Sequence, residues 1–252
     1  MELNLEGFDN VKHRKVILEG IETGQKIILI TYSLTEQMER QIDFVIAAIL
    51  KKYNRPELQS TLYSLAKELI VNATKANAKN TFFESLGLDI AKEEDYQEGM
   101  VKLKAALSEA WIKEYGLKAK EKELNVRIVF SHDKDGIRLE IINNLGIIPA
   151  DERRIREKLQ EGMNYEDLMS FYMNNADNTE GEGIGLVMNL LLLKGEQINP
   201  SLFRIATYEN ETIARLEVPL SDNFVSVRGK DPGGLKKDRE TNALTVDNRQ
   251  ED

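Results

Sequence analysis

The run Lys67-Glu68-Leu69-Ile70-Val71-Asn72-Ala73-Thr74-Lys75-Ala76 decides how the rest of the chain is read. It lies inside an apolar series, Leu58, Leu62, Leu65, Leu69 and Ala73, whose three- and four-residue steps mark one face of a helix. At about 100° per residue, Glu68, Asn72 and Lys75 fall within roughly 60° of one another, along one edge of that stripe. A carboxylate, an amide and an ammonium thus line up on a helix whose other contacts are apolar. On its own this is an ordinary amphipathic helix with polar residues where the stripe meets water.

Working outward, Asn54-Arg55-Pro56 breaks an earlier helix and Pro56 opens this one, which the pattern carries to about Asn77. The earlier helix shows Met38, Ile42, Val45, Ile46 and Ile49 on one face, with Ser33 and Glu36 as a capping box. Ahead of it, Lys15–Leu18 and Lys26–Tyr32 read as strands around the turn Glu22-Thr23-Gly24. Downstream, residues 80–123 read as a charged, mostly helical insertion in which Trp111 packs and Gly116 ends a helix. Val126-Ile128-Phe130 and Ile137-Leu139-Ile141 alternate on either side of Asp133–Gly136, the pattern of a hairpin. Residues 150–179 are polar and partly helical. Glu180-Gly181-Glu182-Gly183-Ile184-Gly185-Leu186 then leads into the apolar helix Val187–Leu193. A closing hairpin, Phe203–Tyr208 and Ile213–Leu220, precedes residues 221–252, which read as a disordered tail.

Composition narrows the class. A chain of 252 residues with 41% hydrophobic and 31% charged residues can build a core and a soluble surface. A net charge of −9 argues against coating nucleic acid or anionic membrane. No cysteine means no disulfide and no thiolate metal site. The apolar runs are too short to span a bilayer, and Met1–Glu6 lacks the order of a signal peptide, so the expectation is a cytoplasmic protein without membrane insertion.

Gly181, Gly183 and Gly185 alternate as the chain enters a helix, which leaves backbone amides free to approach an anion. No G-x-x-x-x-G-K-[ST] loop is present, and the glycine spacing is not that of a dinucleotide fingerprint. The Glu68 helix and this glycine segment together supply what phosphoryl transfer needs. These are a carboxylate to take a proton, an amide oxygen for Mg²⁺ and a cation for phosphate charge.

This order of motifs resembles the GHKL ATPase superfamily, with the catalytic domain of histidine kinases as the closest branch. Glu68-Leu-Ile-Val-Asn72-Ala-Thr-Lys75 is similar to the family's asparagine box, Glu180–Leu186 to its second glycine box, and Thr212 to the Thr of its closing hairpin. The resemblance covers about residues 30–220. It implies a Bergerat-type α/β fold: a two-layer α+β sandwich, its mixed, largely antiparallel sheet packed on helices. Residues 1–34 would precede or join that core, residues 35–220 would form the ATPase domain, and residues 150–179 its lid. It further implies ATP and Mg²⁺ as cofactors, with Glu68 as the base, Asn72 as the metal ligand and Lys75 at a phosphate. Gly181, Gly183, Gly185 and Leu186 would hold the phosphates, with Thr212 and Asn143 at the nucleotide. The first glycine box departs from the family: Asn143 stands where an Asp belongs, and Leu145 and Ile147 where glycines belong. An Asn carbonyl accepts the adenine amino group without charge.

His13 precedes a strand and His132 adjoins a turn in this reading, so both are surface residues and neither is a phosphoacceptor. Any acceptor lies on a protein partner. The functional expectation is an ATPase or protein kinase in signalling. The alternative is a non-catalytic module of the same fold that acts by protein–protein binding.

Overall fold

The computed structural model describes residues 11–174 and 183–247. The chain opens on helix α1 (Val11–Glu22), followed by strand β1 (Lys26–Thr31) and helices α2 (Glu36–Lys52) and α3 (Gln59–Ser85). Helices α4 (Glu93–Ala106) and α5 (Glu109–Glu121) lead to the hairpin β2 (Val126–His132) and β3 (Gly136–Asn143). Helices α6 (Pro149–Asn164), α7 (Leu168–Asn174) and α8 (Ile184–Gly195) come next, then β4 (Phe203–Tyr208) and β5 (Glu211–Pro219). Helix α9 (Pro232–Glu240) and strand β6 (Ala243–Asp247) close the described chain.

The strands form one sheet in the order β4-β5-β3-β2-β1-β6. Only the β1–β6 pair is parallel. The expected α/β class, a mixed and largely antiparallel sheet against a helical layer, is therefore what the chain adopts. Ile27, Leu29, Ile128, Phe130, Leu139, Ile141 and Leu216 alternate onto one sheet face and meet Ile42, Val45, Ile49, Leu65 and Leu69 of α2 and α3. Each such side chain, fully buried, stabilises the fold by about 1.5–3 kcal/mol.

Several local expectations are corrected. Lys15–Leu18 lies in α1, not in a strand: Ile17 and Ile21, one helical turn apart, are both fully buried, and four residues are too few to distinguish the two periods. His13 accordingly sits on an exposed helix face. The cap of α2 is Thr35, whose hydroxyl accepts the Met38 amide at 3.2 Å, rather than Ser33. Helix α3 continues past Asn77 to Ser85 because α4 and α5 pack on its second half. Phe82 and Phe83 there meet Trp111, Leu103 and Tyr115, so Trp111 is a packing residue as expected. Gly116 lies within α5, where a Cβ would meet nothing within 4 Å, and it ends no helix.

The expected disordered tail is instead structured between Ser221 and Asp247. The Asp231 side chain accepts the Gly234 amide at 2.6 Å, and Pro232 stands in the first turn, so a capped helix forms. Helix α9 crosses the sheet face opposite the helical layer, and β6 extends the sheet beside β1. Leu235 of α9 is buried, and ion pairs hold the helix in place. Glu140 of β3, 1% exposed, accepts two hydrogen bonds from Arg239 at 2.9 and 3.1 Å, and Asp238 pairs with Lys26 at 3.2 Å.

Candidate functional site

Helix α3 brings Glu68 and Asn72 to the start of α8. Asn72 Nδ2 donates to Glu68 Oε1 at 2.9 Å, across one helical turn. The same carboxylate lies against Gly185, where a Cβ would come within 1.8 Å of Glu68 Oε1. Any side chain at position 185 would therefore displace it. Gly183 caps α8 in the left-handed region (φ 94°), and a Cβ there would meet Lys158 Cγ of α6 at 2.9 Å. The two motifs, far apart in the sequence, are thus in direct contact. Leu186 is buried in the core below them, and Gly181 lies outside the described residues. Lys75 is exposed on α3, one turn beyond Asn72, with no ion pair among the described residues.

Asn143 and Thr212 form the second part of the site. They are directly opposed in the β3–β5 ladder, on the face that meets α3. Asn143 is 3% exposed. Its Nδ2 donates to the Ala73 carbonyl at 3.3 Å, while its Oδ1 is buried with no partner among the described residues. A buried amide oxygen left in this way costs about 1–3 kcal/mol unless something donates to it. The Thr212 amide and hydroxyl both donate to the Leu145 carbonyl, at 3.0 and 2.6 Å, which fastens the loop after β3 to the β4–β5 turn. The Ile147 amide donates to Thr207 Oγ1 at 3.3 Å, and Gly146 lies against Asn210.

Helix α6, the start of the expected lid, is seated on α8 rather than standing free. Gly162 allows the approach, since a Cβ there would come within 2.8 Å of Leu190 Cδ1. Lys194 Nζ donates to the carbonyls of Gly162 and Met163 at 3.1 and 2.9 Å, neutralising the negative end of α6. On its other side α8 packs Val187 and Leu191 on Phe171 of α7, which is why it is apolar around most of its circumference. At its N-terminal end, α6 is anchored by Asp151. That carboxylate pairs with Lys79 of α3, accepts the Tyr96 hydroxyl of α4 at 3.1 Å and meets Arg154 at 3.3 Å. Helix α4 is therefore tied to the start of α6.

Lys158, Lys79 and Asp151 were not legible as site residues. Each sits in a charged run that resembles any solvated helix face, and only the docking of α6 selects it. His132, expected at the surface, is instead buried against Tyr53, with 2.9 Å between its Nδ1 and the phenol oxygen. Burial foremost, then the Lys52 charge, holds its pKa down at about 4.

Among the described residues, no group of three or more His, Asp and Glu side chains is placed to hold a metal ion. Nor, among them, is any helix long and apolar enough to cross a membrane. No protein-family model matches the chain, and no solved structure matches it. It is similar to an uncharacterized protein of Treponema pallidum (strain Nichols), 33% identical over 204 residues. The match takes in 81% of this chain but only 39% of that relative.

Proposed function

We propose that this chain binds Mg²⁺–ATP as a histidine kinase-like ATPase domain of the GHKL class, and hydrolyses it or transfers its phosphoryl group to a protein partner in the cytoplasm. The observation that carries the reading is the contact of Glu68, itself hydrogen-bonded by Asn72, with Gly185 at the start of α8. A helix N-terminus with glycines at its cap and second position accepts phosphate oxygens on free amides. Asn72 spends its amide nitrogen on Glu68, so its carbonyl oxygen is the atom left to ligate Mg²⁺. A site of this kind needs few protein ligands, because phosphates and waters complete the octahedron. The unpartnered Asn143 Oδ1 is the acceptor suited to an adenine amino group.

Bound Mg²⁺–ATP would supply the γ-phosphoryl group and the metal that polarises it. Glu68, oriented by Asn72, takes the proton of the attacking water or hydroxyl. Lys75, exposed on α3 one turn beyond Asn72, would balance phosphate charge.

A second reading, a regulatory module of the same fold that does not turn over ATP, is favoured by the loop after β3. Leu145, Gly146 and Ile147 are each engaged by the β4–β5 hairpin, which ties down the loop that follows Asn143.

Calorimetric titration with ATP and Mg²⁺ separates the two. The first reading expects saturable binding that Asn72→Ala and Gly185→Ala abolish, and turnover that Glu68→Ala removes while binding persists. Absence of both heat and thermal stabilisation at about millimolar ATP would refute nucleotide binding. Binding without turnover, with candidate partners present, would establish the regulatory reading.

A further inference from the structure

The sheet face opposite the helical layer carries a cluster of arginines that the nucleotide reading does not use. Arg204 of β4 and Arg215 of β5 are directly opposed in their ladder, and Arg215 is opposed on its other side by Glu140. Directly opposed side chains on one face have Cβ atoms about 5 Å apart, and like charges so placed repel.

The neighbouring carboxylates are committed elsewhere. Glu140 takes Arg239 at 2.9 and 3.1 Å and has Arg138 at 3.5 Å. Glu217 accepts the Ser226 hydroxyl at 2.6 Å and the Val227 amide at 2.8 Å. Arg215 Nε is buried without a partner among the described residues. So is Nη1 of Arg239, a side chain only 5% exposed. Arg204 is exposed and has no ion pair among the described residues. Burial foremost lowers the pKa of Arg215, and Arg138 and Arg204 push the same way against Glu140 and Glu217. A surplus of guanidinium groups at one place runs against a chain whose net charge is −9.

We propose that Arg204 and Arg215, with Arg239 held beside them by Glu140, form an oxyanion site that takes a phosphate group. The guanidinium fork matches phosphate oxygens in pairs, and a dianion offers enough acceptors to satisfy N–H groups that otherwise remain buried and unpaired. The site is on the far side of the sheet from Glu68 and is independent of ATP binding. Its phosphate comes either from free inorganic phosphate or from a phosphorylated side chain of a protein.

The test is a titration of the full chain with inorganic phosphate at constant ionic strength, followed by NMR at the Arg215 Nε–Hε resonance. That resonance is assigned by its loss in Arg215→Lys. Saturable shifts are expected, weakened at least about tenfold by Arg204→Gln, because a charge-assisted contact is removed. Arg204 is exposed on the edge strand β4, so this variant folds. The shifts are expected to persist in Asn72→Ala, which keeps this site distinct from the nucleotide site. A phosphoserine peptide run in parallel assigns the source: tighter binding than phosphate points to a phosphorylated protein, equal or weaker binding to the free ion. No saturable shift, an identical shift with chloride, or an undiminished affinity in Arg204→Gln would overturn the proposal.

Discussion

Replacing Arg239 by alanine tests whether the C-terminal segment belongs to the fold. In the native protein Glu140 is 1% exposed and Arg239 5% exposed, joined by two hydrogen bonds at 2.9 and 3.1 Å. Removing one partner of such a pair leaves the other charge buried, at a cost of about 3–5 kcal/mol. Arg138, 3.5 Å from Glu140, remains and compensates in part, so the lower end of that range, about 3 kcal/mol, is expected. Urea unfolding of the wild type and the variant measures the loss as a drop in midpoint at unchanged slope. Replacing both partners, with Glu140→Leu and Arg239→Leu together, is expected to recover only part of the loss, because Arg138 and Arg215 then lose the Glu140 counter-charge. A loss below about 1 kcal/mol in Arg239→Ala would refute the reasoning, since the carboxylate would not then be desolvated beneath α9.

Three further outcomes follow from the same geometry. His132 is neutral in the fold, its pKa held at about 4 against an ordinary 6.5, so the unfolded chain binds the extra proton. Stability is then complete above about pH 6.5 and falls as pH drops toward about 4. Unfolding midpoints measured across that window should slope less in His132→Phe than in the wild type. Gly99→Ala should destabilise the protein, because a Cβ at that position would come within 2.3 Å of the Phe83 ring and push α4 off α3. The expected loss is about 1–3 kcal/mol, visible in thermal unfolding, whereas Gly116→Ala should be neutral or mildly stabilising.

The core was legible where a run was long enough for its period to be decisive. Helices α2 and α3, the β2–β3 hairpin and β5 all follow from the spacing of their apolar residues. Lys15–Leu18 failed because four residues satisfy a strand and a helix equally, and the burial of Ile17 and Ile21 comes from packing against other elements. The C-terminal segment failed for a different reason. Its apolar residues are few and scattered, and an arginine that will be buried against a carboxylate, as Arg239 is, looks in sequence like one that stays in water.

For the site, the sequence alone supplied the residue types and their local order: Glu68 one turn from Asn72 on a helix, and glycines at the entrance to another. These are properties of a single helix and a single turn, set by backbone geometry within a few residues. Only the tertiary structure brought Gly185 against Glu68 and set Asn143 beside Ala73 and opposite Thr212. It alone seated α6 on α8 through Gly162, and laid α9 across the second face of the sheet. Those placements arise from long-range burial of apolar surface and from pairing charges that burial desolvates, as Glu140 with Arg239, and neither is encoded within the span of one motif.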